Sequence, residues 1–403
     1  MVFGTARLVS RARVRFASSV DDRDRIQALA AEAGFELVRF ADAAALGEPR
    51  AAAKEALDAG RLAEMGWMTE EWIERATTPA VFLEGARTVV LLAIPAHAPD
   101  PPREGTRARG RVARYARGRD YHRLFESKLR GIVHAIREEL GAEARATVDY
   151  GPLLERPLAA RAGLGWLGKS TMLLAPGFGP WVLLGAIATT LVIEPDQPLQ
   201  KSCGSCTRCI VACPTGAIAP DGGVLDSRLC ISYHTIESRA PIPRELRSDF
   251  GDWIFGCDEC LDSCPVGATN ATSHPDLVSA SSDDAFPPLA ELLELDDAAF
   301  RERFRGRAIQ RATRDGFLRN VCVALGNVGG GEDIEALASA LGDDAALVRG
   351  HAAWALGELA RRHNAGDRTR PVLQARAIRE EDAWVREELT LALAASNEAE
   401  RAR

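Results

Sequence analysis

One stretch limits what this chain can be. Cys203-Gly-Ser-Cys206-Thr-Arg-Cys209-Ile-Val-Ala-Cys213-Pro214 sets three cysteines at C-x2-C-x2-C spacing and a fourth, followed by proline, three residues on. That is the bacterial ferredoxin run for 4Fe–4S clusters. A second run, Cys257-Asp-Glu-Cys260-Leu-Asp-Ser-Cys264-Pro265, follows, and Cys230 lies between the two. Thiolates are soft, charged donors, and four satisfy one cubane. These eight cysteines therefore match two clusters. In two-cluster ferredoxins the last cysteine of each run crosses to the other cluster. On that rule Cys203, Cys206, Cys209 and Cys264 hold one cluster, and Cys213, Cys230, Cys257 and Cys260 hold the other. Pro214 and Pro265 turn the chain away after each crossing ligand. A disulfide-stapled module is disfavoured, because a chain this long needs no staples. Zinc is disfavoured because a run ending in C-P is not a zinc pattern. The ninth cysteine, Cys322, sits in an apolar stretch and reads as an inert buried thiol.

The chain has 403 residues and a formal net charge of −7. That length suggests two or three domains, and that charge offers no global attraction to nucleic acid. The first 19 residues hold Arg7, Arg11, Arg13 and Arg15 and no acid. They look like a transit peptide, but are read as a disordered tail left by a start codon placed too far upstream. No apolar run reaches the ~20 residues of a membrane helix, and clusters imply a reducing compartment.

Residues 20–198 alternate helical and strand signals and read as an α/β domain with strands buried on both faces. Helices are expected over 21–33, within 47–77, after Asp120 and over 153–163. Strands are expected over 35–40, 88–94, 146–150 and 181–193. Residues 199–275 are the ferredoxin-like module, and 276–312 a linker with helical pieces. Over 313–395, Leu318-Arg319, Val348-Arg349 and Val385-Arg386 each precede an apolar helical run, and Ala-Leu-Gly recurs at 324–326 and 355–357. Stacked helix pairs at this period predict a HEAT-like solenoid.

No G-x-G-x-x-G follows a strand, so a dinucleotide site is unsupported. Asp149 stands at a strand end before Gly151-Pro152. There an aspartate either bonds local amides or does acid chemistry. The basic, aromatic stretch Gly110 to His122 is suited to phosphate or to the edge of a large anionic cofactor, or else is a solvated loop. Arg301, Arg303, Arg305, Arg307, Arg311, Arg314 and Arg319 concentrate positive charge on an acidic chain. They suggest a polyanion site or a solvated helix face.

These motifs together resemble the epoxyqueuosine reductases, over roughly residues 20–395. The carriers are Ala113-Arg-Tyr-Ala-Arg-Gly-Arg-Asp-Tyr-His122, Val148-Asp149, Ala160-Arg-Ala-Gly-Leu-Gly-Trp-Leu-Gly-Lys169, both cysteine runs, Cys230-Ile-Ser-Tyr-His-Thr-Ile236 and the arginine-rich start of the repeats. The resemblance implies a cytoplasmic oxidoreductase of tRNA modification. It would reduce epoxyqueuosine to queuosine at wobble position 34 of GUN-type anticodons, the last step of queuosine biosynthesis. Two 4Fe–4S clusters would reduce a cobalamin (cob(II)alamin) without a protein lower ligand, and no D-x-H-x-x-G signature occurs here. Asp149 corresponds to the proton donor. A carboxyl packed over a corrin is expected to have its pKa raised by desolvation. Cobalamin contacts are implied at Arg75, Ala113, Asp149, Leu173, Leu184 and Ser232, and tRNA contacts at Arg307, Arg311, Arg314 and Arg319. Arg75 stands one place off the family's arginine relative to Pro79. After Cys264-Pro265 the family often has a bulky residue and Asn, where this chain has Val266-Gly267-Ala268. The cluster of Cys203, Cys206, Cys209 and Cys264 is expected nearest the corrin. An external flavodoxin- or ferredoxin-type donor, no membrane and a monomer complete the expectation.

Two other readings compete. A reductive dehalogenase-like enzyme would carry a twin-arginine signal, which is missing here, and has no need of a polyanion-binding tail. A non-enzymatic ferredoxin-type carrier leaves the α/β domain and Asp149 unexplained. The ligand assignment is checked by Cys230→Ala, which should lose roughly half of the iron, read by iron analysis and cluster absorbance.

Overall fold

The computed structural model describes residues 19–267, 273–279 and 281–401. The expected N-terminal tail lies, except for residue 19, outside the described residues, as does Ala268.

The first unit is built on a four-stranded sheet. Its strands are β1 (Leu37–Asp42), β2 (Thr88–Pro95), β3 (Ala144–Thr147) and β4 (Val182–Thr189). Their order is β1-β2-β4-β3, and every neighbouring pair is antiparallel. Helices α1 (Ser19–Glu32) and α2 (Tyr121–Leu140) cover one face, and α3 (Glu155–Arg161) the other. Alternation along β2 divides the burial. Val90, Leu92 and Ile94 meet Ile26, Phe125 and Leu129, whereas Val89, Leu91 and Ala93 join Leu158 and Ala159. The continuous apolar run thus reports burial on both faces, as expected. It does not report strand direction: the antiparallel pairing departs from the doubly covered parallel sheet that such runs usually signal. Two strands also end earlier than expected. β3 stops at Thr147, which leaves Asp149 in the following turn, and β4 ends at Thr189.

The cysteine module has only short elements, as cluster loops require. They are α4 (Arg208–Ala212), α5 (Ile231–Ile236) and α6 (Glu259–Asp262). It is stitched to the first unit by a parallel pairing of Arg111–Val112 with Trp253–Phe255.

Three long helices form the repeats: α7 (Thr313–Val328), α8 (Ala346–His363) and α9 (Ala383–Arg401). The recurring Ala-Leu-Gly has a packing cause. A Cβ on Gly326 would lie 2.4 Å from the Trp354 ring, and one on Gly357 would lie 2.9 Å from Ala392 Cα. Glycine is what lets α7 and α8, and then α8 and α9, approach so closely. The stretch 276–312 is more than a linker. Leu289, Leu292, Phe300, Phe304 and Ile309 are buried in one core with α7 and with Phe250, Ile254 and Phe255 of the cysteine module. Among the described residues no helix is long and apolar enough to cross a membrane.

α7 also reaches the module through polar groups. Arg319 is fully buried, and burial pulls its pKa down to about 9. Its guanidinium donates to the carbonyls of His234, Ser238 and Ala240. The neighbouring Asn320 amide donates to Thr235 O and Ile254 O, each at 2.9 Å. The expected role of Arg319 in tRNA contact is therefore corrected: no macromolecule can reach it, and it clamps the C-terminal end of α5 instead. Hydrogen bonds to a charged donor are worth about 1.5–3 kcal/mol each. Arg319→Met should accordingly destabilise the protein by roughly 3 kcal/mol or more in chemical unfolding, while leaving the salt dependence of tRNA binding unchanged.

Candidate active site and cluster ligands

The basic stretch from Gly110 to His122 leaves Arg119 exposed, while its Arg111, Arg114 and Arg117 are taken up by carboxylates. Its arginines join the sheet unit to the cysteine module. Arg114 is buried. Its backbone N–H donates to Asp258 Oδ2 at 2.8 Å, its Nη1 to Asp262 Oδ1 at 2.7 Å, and its guanidinium lies 4.7 Å from the Trp181 ring centre. Arg117, also buried, pairs with Asp100 at 2.6 Å and donates to Val112 O. Arg111 reaches Glu259 at 2.9 Å. Asp258 sits between cluster-run residues Cys257 and Glu259. Burial lifts its carboxyl to about 6 against the pull of Arg114 and Arg117.

Eight cysteines are half-buried free thiols, while Cys322 is fully buried, in keeping with an inert role. Their mutual electrostatics connect them. Burial raises the Cys209 thiol, and Cys203, Cys264 and Cys206 add to it; Cys264 likewise feels Cys203 and Cys206. Burial raises Cys257, Cys260 and Cys230, with Cys260 and Cys230 acting on Cys257, with Cys230, Cys213 and, from the first run, Cys209 acting on Cys260, and with Cys213 acting on Cys230. The thiols of both runs and Cys230 thus lie close enough to act on one another. Backbone N–H groups already point at sulfur, from Lys169 to Cys203 at 3.4 Å and from Ala217 to Cys213 at 3.3 Å. The donor set thus fits two cubanes. Among the described residues no three donors converge tightly enough for a single metal ion.

Asp149 adopts a left-handed backbone, φ +49°, which aspartate tolerates better than most residues. Its N–H donates to Glu155 at 2.6 Å. Tyr121 donates to its Oδ2 at 2.7 Å, and His122 Nε2 lies 3.3 Å from the same oxygen. The other ring nitrogen, His122 Nδ1, lies 2.7 Å from Asp120 Oδ1, and Asp120 also caps α2. Although ringed by protein, the Asp149 side chain keeps 63% of its surface open. Enclosure pushes its pKa up, but hydrogen bonds from His122 and Tyr121 and the charges of His122 and Arg156 outweigh that, and the net direction is down. The protein's own groups therefore favour the ionised Asp149, and the raising expected of a corrin packed over it would act against them. His122 moves the other way. Burial lowers it, yet Asp120 and Asp149 lift it to about 9. Glu155 is pushed up to about 8 by burial and by the Asp149 charge. Tyr121, His122 and Glu155 were not assigned from sequence. The signal for the first two was Asp-Tyr-His at a helix start.

Besides Asp149, the residues implied for cobalamin fall in three places. Ala113 is buried and backs onto Gly256, which receives no larger side chain because a Cβ there would lie 2.5 Å from Ala113 Cβ. Ser232 lies nearby on α5, where its carbonyl accepts from Thr235, which also binds the Gly256 N–H. Leu173 and Leu184 share the apolar cluster on the α3 face of the sheet. Arg75 is exposed at the end of the helix Glu70–Ala76. Ala113, Leu173 and Leu184 are apolar, as suits the face of a large macrocycle, and none of these three can ligate a metal. Ala113 and Leu173 are enclosed by protein, so Leu184, Ser232 and Arg75 have the surface to offer.

Of the arginines implied for tRNA, Arg307 pairs with Asp284, and Arg314 pairs with Asp343 at 2.5 Å and Asp315 at 3.2 Å. Arg311 is exposed, pairs with Glu237, and is close enough for Asp149 and Tyr115 to raise its pKa after Glu237 does. Arg301, Arg303 and Arg305 are exposed on the same segment.

A family model for epoxyqueuosine reductase QueG matches residues 76–150, one for a 4Fe-4S double cluster binding domain matches 202–267, and one for HEAT repeats matches 307–394. The epoxyqueuosine reductase of Xanthomonas campestris pv. campestris is 40% identical over 348 residues, covering 84% of this chain and 96% of that protein. The chain belongs to the epoxyqueuosine reductase family. It is therefore an oxidoreductase with a double 4Fe–4S cluster domain and HEAT repeats. The Escherichia coli K12 member is 36% identical over 83% of this chain and 88% of its own. A crystal structure of an epoxyqueuosine reductase with an epoxyqueuosine-modified tRNA-Tyr stem loop aligns at TM-score 0.86 and 27% identity, over 94% of this chain and all of that one. A Bacillus subtilis member, at TM-score 0.84 and 26% identity, over 94% of this chain and 100% of that one, was captured with its catalytic aspartate loop swung out of the active site.

Removing one partner of a buried charge pair costs about 3–5 kcal/mol. Arg114→Met should destabilise the family fold by that order in anaerobic chemical unfolding, because Asp258 and Asp262 lose their shared cation.

Proposed function

We propose that this chain reduces epoxyqueuosine to queuosine in tRNA, with Asp149 as the group that protonates the epoxide oxygen. The observation that carries this is the setting of Asp149: exposed, held through one oxygen by Tyr121 and His122, and carried on a left-handed turn beyond β3. Opening an epoxide leaves an alkoxide, which needs an acid beside it. The relative with a tRNA stem loop supports the substrate class, and the relative with a mobile catalytic aspartate loop supports the role.

The two clusters are proposed to be held by Cys203, Cys206, Cys209 and Cys264, and by Cys213, Cys230, Cys257 and Cys260. Contrary to the expectation, the second set is the better candidate for the cluster facing Asp149. Gly256, beside Cys257, lies against Ala113 and Tyr115; the Tyr115 and Tyr121 rings are 6.0 Å apart, and Tyr121 bonds Asp149. The first set would then take electrons from an external flavodoxin- or ferredoxin-type donor. Cobalamin, when bound near Ser232, Leu184 and Arg75, would supply the low-potential chemistry that breaks carbon–oxygen bonds. The exposed Arg301, Arg303, Arg305 and Arg311 support a tRNA backbone site that leads to the wobble base, which is flipped toward Asp149.

Anaerobically purified protein should convert epoxyqueuosine to queuosine in tRNA, read by mass of the nucleoside. Asp149→Ala should keep both clusters and lose about 10²–10⁴ in rate. Arg311→Glu should weaken tRNA binding and flatten its salt dependence by about one unit of slope, measured by filter binding across a salt series. Unchanged turnover in the first variant would refute the role of Asp149.

A further inference from the structure

Reduction of an epoxide to an alkene consumes two electrons and two protons and releases water. One C–O bond breaks as the oxygen takes the first proton. The second C–O bond breaks as the resulting hydroxyl takes another and departs as water, while the electron pair becomes the C=C bond. Asp149 carries at most one proton, so a second source is required at the same place.

We propose that His122 is that source: an imidazolium held between Asp120 and Asp149, which passes its Nε2 proton to Asp149 so that one carboxyl serves both protonations. This rests on the reading of Asp149 given above. The geometry carries the argument. Both ring nitrogens face carboxylate oxygens, Nδ1 toward Asp120 at 2.7 Å and Nε2 toward Asp149 at 3.3 Å. A neutral imidazole has one N–H and one lone pair, so one of these contacts would set lone pair against lone pair. With both carboxylates ionised, only the imidazolium satisfies both; once the proton has passed to Asp149, the neutral ring accepts from it at Nε2. The ring is also fixed, stacked at 4.0 Å on Tyr121 and lying 5.4 Å from Tyr150.

The other charged groups around the pair agree with this. Asp120 is held down by His122 and Arg123; Tyr121 stays protonated beside Asp149; Tyr150 bonds Glu126; Glu155, Arg156 and Arg311 are the other charged groups that interact with Asp149. Tyr121 and His122 both use Oδ2, and among the described residues Oδ1 has no hydrogen-bond partner, which leaves it for the substrate oxygen. A nucleotide settling over the exposed Asp149 carboxylate desolvates it. Desolvation disfavours the anion and draws the proton from His122 to Asp149. The pair titrates as a unit, so its proton is handed over only when the site is covered.

The sign of the pH dependence follows. His122 is held above its unfolded value, so the bridge is complete below about 6.5 and is lost as pH rises through about 9. Single-turnover epoxide reduction should fall along an alkaline limb near that value. His122→Gln keeps a hydrogen-bonding side chain but cannot carry the proton. It should slow reduction about 10²-fold, abolish the alkaline limb, and leave cluster absorbance and tRNA affinity unchanged, and imidazole should restore rate in His122→Ala. A readout independent of turnover is the NMR titration of His122 in the full chain, which should drop toward its ordinary value in Asp149→Asn. Wild-type rate and limb in His122→Gln, or a His122 that titrates at its ordinary value, overturns the proposal. If Asp149→Ala is inactive while His122→Gln is not, the relay fails and the Asp149 reading stands; if both are active, that reading fails as well.

Discussion

Arg114 is the point on which the architecture turns. Its backbone N–H holds Asp258, its guanidinium holds Asp262 and Asp100, and its plane rests on Trp181. Asp258 lies between two cluster cysteines, and Trp181 immediately precedes β4. One side chain thus fixes the distance between the sheet that carries Asp149 and the loop that carries Cys257 and Cys260. A buried pair of this kind adds little net stability over an apolar isostere. It does impose direction, since a planar guanidinium fits its acceptors in few poses. Electron transfer to a reacting centre depends on such fixed spacing more than on added stability.

The repeats act on the same module from the opposite side. Arg319 and Asn320 take up carbonyls at the end of α5, Arg247 of the module pairs with Glu388 of α9 at 2.7 Å, and His351 of α8 accepts the Ile242 N–H. Cys230 stands at the N-cap of α5. The helical tail therefore packs behind Cys230, a proposed cluster ligand, and, through Arg311, borders the turn that carries Asp149. This joins the proposed RNA-binding part and the redox part in one rigid core, where a tethered pair of domains would leave their relation loose.

Much of this was legible in the chain. The double-cluster domain was legible because a cubane accepts few loop lengths, so cysteine spacing is a strict chemical code. The burial of β2 was legible because every residue of Val89 to Ile94 is apolar. Strand direction was not, because antiparallel and parallel strands covered on both faces share that pattern. The arginines misled most. Sequence shows charge but not its partner: Arg114, Arg117 and Arg319 look like their exposed neighbours until Asp258, Asp100 and the α5 carbonyls arrive from distant positions. The ionisation of Asp149 was hidden for the same reason, since it is set by Tyr121 and His122 across the start of α2.

The short strand β3 has a mechanical consequence. It is four residues long and lies at the sheet edge, bonded only to β4. Fraying it breaks one short ladder and leaves the β1-β2-β4 ladders closed. Segments with few backbone bonds open at far lower free energy than the fold as a whole. The turn bearing Asp149 thus hangs from the shortest, outermost ladder, and displacing it would leave the ladders that anchor the rest of the sheet closed.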